Sequence, residues 1–325
     1  MTLAEALHSP RSSNLNTLRI LLAVAVIISH AWPLALGAGT LEPLEHLTGR
    51  SLGGWAVGVF FFLSGLLITA SAERRDLTDF WYARARRILP GLAIALIFTG
   101  GLAVASGSTA SLQELIEWYV RALTLVSIEY RLTDAFAQNP FPEVVNGPLW
   151  SLFHEWVAYA LCAVFVMVGG SRRKSLVVAL LMATSFAALW HQALPGRLST
   201  FAPLFAAFSW GMAAHVFRHQ IRLNPLLPLV GGMLAVLLPW TIATGIVAGG
   251  LVVIVLRAPI APPFKDVSYG MYIYGWPVAQ AVVALLPGLR PEMLAIVSVV
   301  ATYPLAWASW TYVERPSVIW RRVEI

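Results

Sequence analysis

TLRILLAVAVIISHAWPLALG, residues 17–37, carries only two ionisable side chains, Arg19 and His30, in 21 positions. A bilayer core of about 30 Å takes roughly 20 apolar residues of helix to cross. This stretch has that length and reads as a membrane-spanning helix. The residues before it, 1–16, are polar and include Pro10 and Arg11. A secretory leader has a shorter apolar run and a small-residue cleavage site. Residues 17–37 therefore read as an uncleaved first span, and 1–16 as a cytoplasmic N-terminal segment.

The same reading extends along the chain. Further apolar stretches fall at 52–72, 88–106, 148–168, 176–194, 199–216, 226–241, 243–258, 267–287 and 292–312. The expected fold is thus all-α: one polytopic membrane domain over 1–325, a bundle of about ten transmembrane helices. Composition agrees, because 58% of residues are apolar and only 12% charged. A soluble domain is about half apolar and about a quarter charged. Pro239, Trp240 and Gly245 predict a tight turn between two short spans. The longest connection is 107–147, in which residues 112–119 have helical spacing and suit a surface helix. Residues 138–142 read as a loop.

Charge placement orients the bundle. With the N-terminus inside, 17 of the 22 Lys and Arg fall in loops on one side and five on the other. The positive-inside rule then puts both termini in the cytoplasm, with 313–325 as a cytoplasmic tail. It also accounts for the net charge of +6 without nucleic acid as a partner. Trp32, Trp118, Trp150, Trp190 and Trp240 fall near the opposite boundary, as an aromatic belt does. The single cysteine, Cys162, rules out an intrachain disulfide and a Cys-based zinc site, and no metal site is expected.

Ionisable groups inside spans are functional candidates. Arg19 and His30 are eleven residues apart, three helical turns to within about 20°, so they share a face roughly 16 Å apart along the axis. Arg19 also suits a snorkelling anchor, and His30 a helix–helix hydrogen bond. In Asn146-Gly147-Pro148-Leu149-Trp150-Ser151-Leu152-Phe153-His154-Glu155, Asn146 can cap a helix and Pro148 can start it. Glu155 then lies roughly 10 Å below the surface, and His30 about 14 Å below it. The two are expected at one level. Glu155 is equally a carboxylate favoured by the N-terminus of its own helix.

Arg84 and Arg87, three apart, share a face and suit phosphate recognition as well as topology anchoring. Ser64 and Gly65 suit close helix packing. The run Ser268–Pro277 is rich in tyrosines whose hydroxyls need partners in lipid. No phosphate-binding Gly-rich loop, no Gly-x-Ser-x-Gly elbow and no His-x4-Asp pair occurs in the chain.

Taken in order, Arg19-x10-His30, Gly58–Ile68, Arg84-x-x-Arg87-Ile88 with Pro90, Trp150-Ser151-Leu152-x-x-Glu155, Tyr269–Pro277 and Glu314-x-Pro316 resemble acyltransferase family 3, the bacterial ten-helix membrane acyltransferases, in a standalone form. The resemblance implies an acyl-CoA donor at the cytoplasmic side, acetyl-CoA above all, used as a substrate rather than a resident cofactor. It implies a hydroxyl acceptor on a sugar or exported polysaccharide, in the bacterial cytoplasmic (inner) membrane. It assigns His30 and Glu155 to catalysis and Arg19, Arg84 and Arg87 to the acyl-CoA. Ser64, Trp150, Ser151, Tyr269 and Tyr272 are candidate cavity lining. Many relatives carry His where Gly275 stands here. Two other readings share the buried charges: a secondary transporter of an anion or glycan, and a structural membrane subunit.

Overall fold

The structure, a computed structural model, describes residues 1–126, 128–260 and 265–319. Part of the expected tail, 320–325, lies outside the described residues. In chain order the helices are α1 (Leu3–Leu7), α2 (Asn14–Leu36), α3 (Pro43–Thr48), α4 (Leu52–Arg74), α5 (Leu77–Ala105), α6 (Leu112–Leu123), α7 (Trp150–Gly169), α8 (Arg173–Leu189), α9 (Arg197–Val216), α10 (Leu226–Leu237), α11 (Trp240–Arg257), α12 (Ser268–Leu285), α13 (Pro291–Ser309) and α14 (Arg315–Ile319). A π-helical turn, Trp310–Glu314, joins the last two. Strand pairing among the described residues is limited to two isolated bridges, Thr2 with Arg222 and Arg131 with Val144.

A helix occupies each of the ten stretches expected to span. Six helical stretches among the described residues are long and apolar enough to cross a membrane: Pro10–Leu36, Leu52–Arg74, Leu77–Ala105, Gly147–Leu189, Trp240–Arg257 and Pro291–Val318. The fourth of these carries two expected spans, broken at Gly170, whose φ of 42° lies in the left-handed region. Leu226–Leu237 is apolar but has only 12 residues, about 18 Å of helix against a core of about 30 Å. It has no buried residue and packs on α11 at the edge of the bundle.

Two groups of helices meet at α2 and α4. One joins α2, α12 and α13; the other joins α4 with α9, α11 and α7, and α8 packs on α9. Of the six spanning stretches, the one containing α4 is the most buried. Small residues allow its close approach to α9. A Cβ on Gly65 would fall on the Phe208 backbone, and one on Gly211 on the Phe62 backbone. The surface-helix expectation holds as a helix: α6 starts at a capping box of Ser111 and Glu114. Trp118 is buried against the protein rather than facing lipid.

The last part of the connection between α6 and α7 packs against α12. Residues 139–148 run antiparallel to α12 and are tied to four of its residues. The Asn139 amide donates to the Gln280 carbonyl and side-chain oxygens at 2.9 and 2.8 Å. The Gln280 amide donates to the Phe141 and Val144 carbonyls at 2.7 and 2.9 Å. Trp276 Nε1 donates to Val144 at 2.8 Å, and Asn146 Nδ2 to Ile273 at 2.9 Å. The Tyr272 hydroxyl donates to Pro148 at 3.0 Å.

The Asn146 bond has a simple cause. In a helix the Ile273 carbonyl would accept the N–H of residue 277, which is Pro277 and has none. Asn146 satisfies that orphan carbonyl rather than capping α7 as its sequence position suggested. From Gln280 to Tyr272 is eight residues of α12, about 12 Å. The chain therefore re-enters the bundle by that depth before α7 begins. Leu125, Asp134, Phe136 and Glu143 hold positive φ in the connection between α6 and α7, and Glu143 lies within the segment tied to α12.

Candidate active site

A cavity of about 660 Å³ lies among α4, α5, α7 and α12. Its lining includes Arg19, Ser64, Arg84, Arg87, Ser151, Glu155, Tyr269 and Tyr272, all of which sequence reasoning singled out. Arg75, Asp79, Tyr82 and Arg86 mark one end, where Arg75 and Tyr82 are exposed. This end sits at the start of α5, a helix of 29 residues, about 43 Å long and longer than a bilayer core is thick. The other end is lined by Val57, Phe60, Ser151 and Tyr272. The Phe60 and Tyr272 rings meet edge to face with centroids 6.2 Å apart. The Ser151 and Tyr272 hydroxyls are 2.7 Å apart.

Glu155 stands between the two ends. Its carboxylate accepts from the Tyr159 hydroxyl, one turn on along α7, and from Ser64 Oγ at 3.4 Å. Arg84 lines the same cavity, and its buried Nε has no hydrogen-bond partner. A carboxylate, a phenol and a guanidinium thus share one enclosed volume. Such a set can hold an anion, polarise a carbonyl or move a proton.

Arg19 and Arg87 are differently placed. Arg19 Nη1 and Arg87 Nη2 both donate to Asp266 Oδ2, at 2.9 and 2.8 Å. Arg87 Nη1 donates to Glu314 Oε2 at 2.9 Å. Ser268 Oγ donates to the other Asp266 oxygen at 2.6 Å, and Ser309 Oγ to the other Glu314 oxygen at 2.9 Å. Arg87 also lies over Tyr269 and Trp310, 5.7 and 5.3 Å from the ring centroids. Burial opposes ionisation of Asp266, but the Arg19 and Arg87 guanidiniums outweigh it and hold the carboxyl below the ordinary aspartate value. Two cations and two anions here close a neutral cluster joining α2, α5, the approach to α12 and the π turn.

Sequence reasoning missed Asp266, which lies in a connection and matches no periodic pattern. Glu314 was visible only as the close of the last span. The π turn directs it inward, and it is fully buried. Tyr159 was legible in principle, since it follows Glu155 at i+4.

His30 and Trp150 are not among the residues lining the cavity. Trp150 is partly exposed and meets His154 edge to face. The nitrogens of His154 face the Trp150 carbonyl and the Thr200 hydroxyl, each at 3.0 Å, so this histidine is structural. His30 packs edge to face on Trp276, with centroids 4.9 Å apart. Among the described residues no hydrogen bond or ion pair joins His30 to Glu155.

The single-level expectation assumed that α7 starts at the membrane surface. It starts at the bottom of the re-entrant segment, which lowers Glu155 by that depth. Trp276 is four residues beyond Tyr272, so His30 lies about one turn, roughly 6 Å, farther along α12 than the cavity end. Gly275 has a steric explanation: a Cβ there would lie 2.6 Å from Ile27 Cγ1.

Comparison with known proteins gives the family. A family profile described as an acyltransferase domain matches residues 12–311. The chain is 29% identical over 326 residues to an O-acetyl transferase of Shigella phage Sf6, covering 94% of this chain and 96% of that protein. It is 28% identical over 355 residues to Nodulation protein 10 of Rhizobium leguminosarum bv. viciae, covering 95% and 94%. No solved structure matches.

Proposed function

The chain belongs to acyltransferase family 3 and is an O-acyltransferase, and from that premise we propose that it moves an acyl group, acetyl first of all, from acyl-CoA to a hydroxyl of a sugar or exported polysaccharide. The donor enters from the arginine-rich end, which the charge asymmetry assigns to the cytoplasm. The acceptor comes from the opposite face of a ten-span bundle in the bacterial cytoplasmic membrane. The observation that carries this reading is the cavity itself: exposed Arg75 and half-buried Arg86 at one end, Glu155 and Arg84 along it, and a hydroxyl pair at the other. Its length suits a long donor whose nucleotide stays at the mouth while its thioester reaches the interior.

In this reading His30 is the general base or transient acyl carrier. Taking the first, the acceptor O–H proton passes to His30 and the oxygen attacks the thioester carbonyl carbon. The C–O bond forms, the C–S bond breaks, and the leaving thiolate takes the proton from His30. Glu155 does not orient His30 directly. It acts on the donor side, with Tyr159 and Arg84 around it.

The test is turnover by the purified chain in lipid nanodiscs with acetyl-CoA and a sugar acceptor, read as thiol release and acceptor mass. The expected result is acceptor-dependent release that falls by about 10²–10⁴-fold in His30→Ala. Unchanged turnover by that variant removes His30 from the mechanism. Acetylated acceptor formed only from a donor other than acyl-CoA removes the donor assignment.

A further inference from the structure

Five arginines line the donor cavity, and the structure divides them into two kinds. Arg19 and Arg87 have carboxylates at 2.8–2.9 Å and belong to the neutral cluster with Asp266 and Glu314. Both terminal nitrogens of Arg87 are already donating. An anion drawn to Arg87 would have to displace a buried carboxylate, and the charge of Arg19 is matched by Asp266 through Nη1. The other three have no carboxylate partner among the described residues. Arg75 Nη1 meets only the Ser71 hydroxyl, and Arg86 lies over the Tyr82 ring at 4.9 Å. Arg84 is enclosed with its Nε unpartnered.

A guanidinium shielded from water and lacking an acid is costly unless an anion completes it. Arg84 is the one in that position, its Nε buried and unpartnered although Glu155 shares the cavity; with Arg75 and the half-buried Arg86 near the exposed end, which Asp79 also lines, the three make a site for a polyanion. We propose that Arg75, Arg84 and Arg86, rather than Arg19 and Arg87, hold the phosphate groups of a nucleotide thioester. Asp266 and Glu314 are positioning residues: they neutralise Arg19 and Arg87 and fix them as wall. This rests on the acyl-CoA reading for the identity of the ligand, and on the ion-pair geometry alone for the choice of arginines.

The test is calorimetric titration of the purified full chain with CoA, pantetheine and pyrophosphate. Arg75→Gln and Arg86→Gln are each expected to weaken CoA binding roughly tenfold and to leave pantetheine binding unchanged. Arg19→Gln is expected to lower thermal stability while keeping the ratio of CoA to pantetheine affinity. Wild-type affinity for CoA in both Arg75→Gln and Arg86→Gln overturns the assignment, as does loss of the CoA preference in Arg19→Gln. A wild-type chain that binds pyrophosphate through Arg75 and Arg86 but binds no CoA supports the anion site and ends the acyl-CoA reading. Binding of neither ends both.

Discussion

Gly65 of α4 and Gly211 of α9 each face the other helix's backbone so closely that neither position has room for a Cβ. The contact locks α4 to its main neighbour and sets the wall that carries Ser64 into the cavity. Gly65→Ala and Gly211→Ala are each expected to destabilise the protein by about 1–3 kcal/mol or more, through overpacking. The double variant should cost less than the sum, because one separation relieves both clashes. Gly101→Ala in α5, where nothing lies within 4 Å of the added Cβ, is the contrast. It should be neutral or stabilising by about 0.5–1 kcal/mol. Thermal melts in one detergent decide, and equal effects at Gly65 and Gly101 would remove the packing account.

The shared Asp266 carboxylate makes an acid-range prediction. Its folded value is held below the ordinary aspartate value of about 3.9 by Arg19 and Arg87, against burial. Stability from this group is therefore fully present above about pH 4 and is lost as pH falls through the lower folded value. Asp266→Asn leaves Arg19 without its carboxylate and Arg87 with one, so it should cost about 3 kcal/mol near neutral pH. The variant should also show a shallower loss of stability below about pH 4. Melts from pH 7 to pH 3 read both effects; an unchanged acid slope would mean that Asp266 is not ionised in the fold.

Gly275, where the family resemblance implies His in many relatives, gives a packing prediction. Ile27 of α2 occupies the space a larger side chain would need. Gly275→His alone should lower stability and expression, since α2 and α12 would have to part. Adding Ile27→Ala removes the blocking Cγ1 and Cδ1 atoms and should recover part of the loss. Equal stability of the single and double variants would locate the obstacle elsewhere.

Much of the bundle could be read in the chain because lipid imposes a simple rule: long apolar runs become helices. The ten stretches became helices for that reason, and Leu226–Leu237 shows its limit, apolar but too short. The cavity was partly legible as well. Ser64, Ser151, Tyr269 and Tyr272 are polar groups in apolar runs, and such groups gather around a shared volume. What was not legible depends on contacts distant in sequence. Residues 139–148 have the composition of a surface loop. The missing N–H of Pro277, the amides of Asn139, Asn146 and Gln280, the Trp276 indole and the Tyr272 hydroxyl hold them beside α12. That descent moved α7, and with it Glu155, away from the level of His30. Asp266 and Glu314 were hidden for a related reason: each lies at the edge of a span, where an acid is ordinarily solvated.

Glu155 and its phenolic partner give the last prediction. Tyr159 donates to the Glu155 carboxylate, and Ser64 approaches the same oxygen at 3.4 Å. If the carboxylate's charge is used during transfer, Glu155→Gln removes it while keeping shape, and kcat should fall by at least about 10²-fold. Tyr159→Phe leaves the charge and removes one donor, a loss of about 1.5–3 kcal/mol for a bond to a charged group. Part of that would appear in catalysis, so its expected fall is smaller, roughly tenfold. The order of the two variants carries the argument. A purely structural Glu155 would give two variants that lose thermal stability and keep wild-type kcat per folded molecule. An acyl-transfer role gives Glu155→Gln that folds, binds CoA and fails to turn over. Measuring kcat, CoA affinity and melting temperature on the same preparations separates these outcomes.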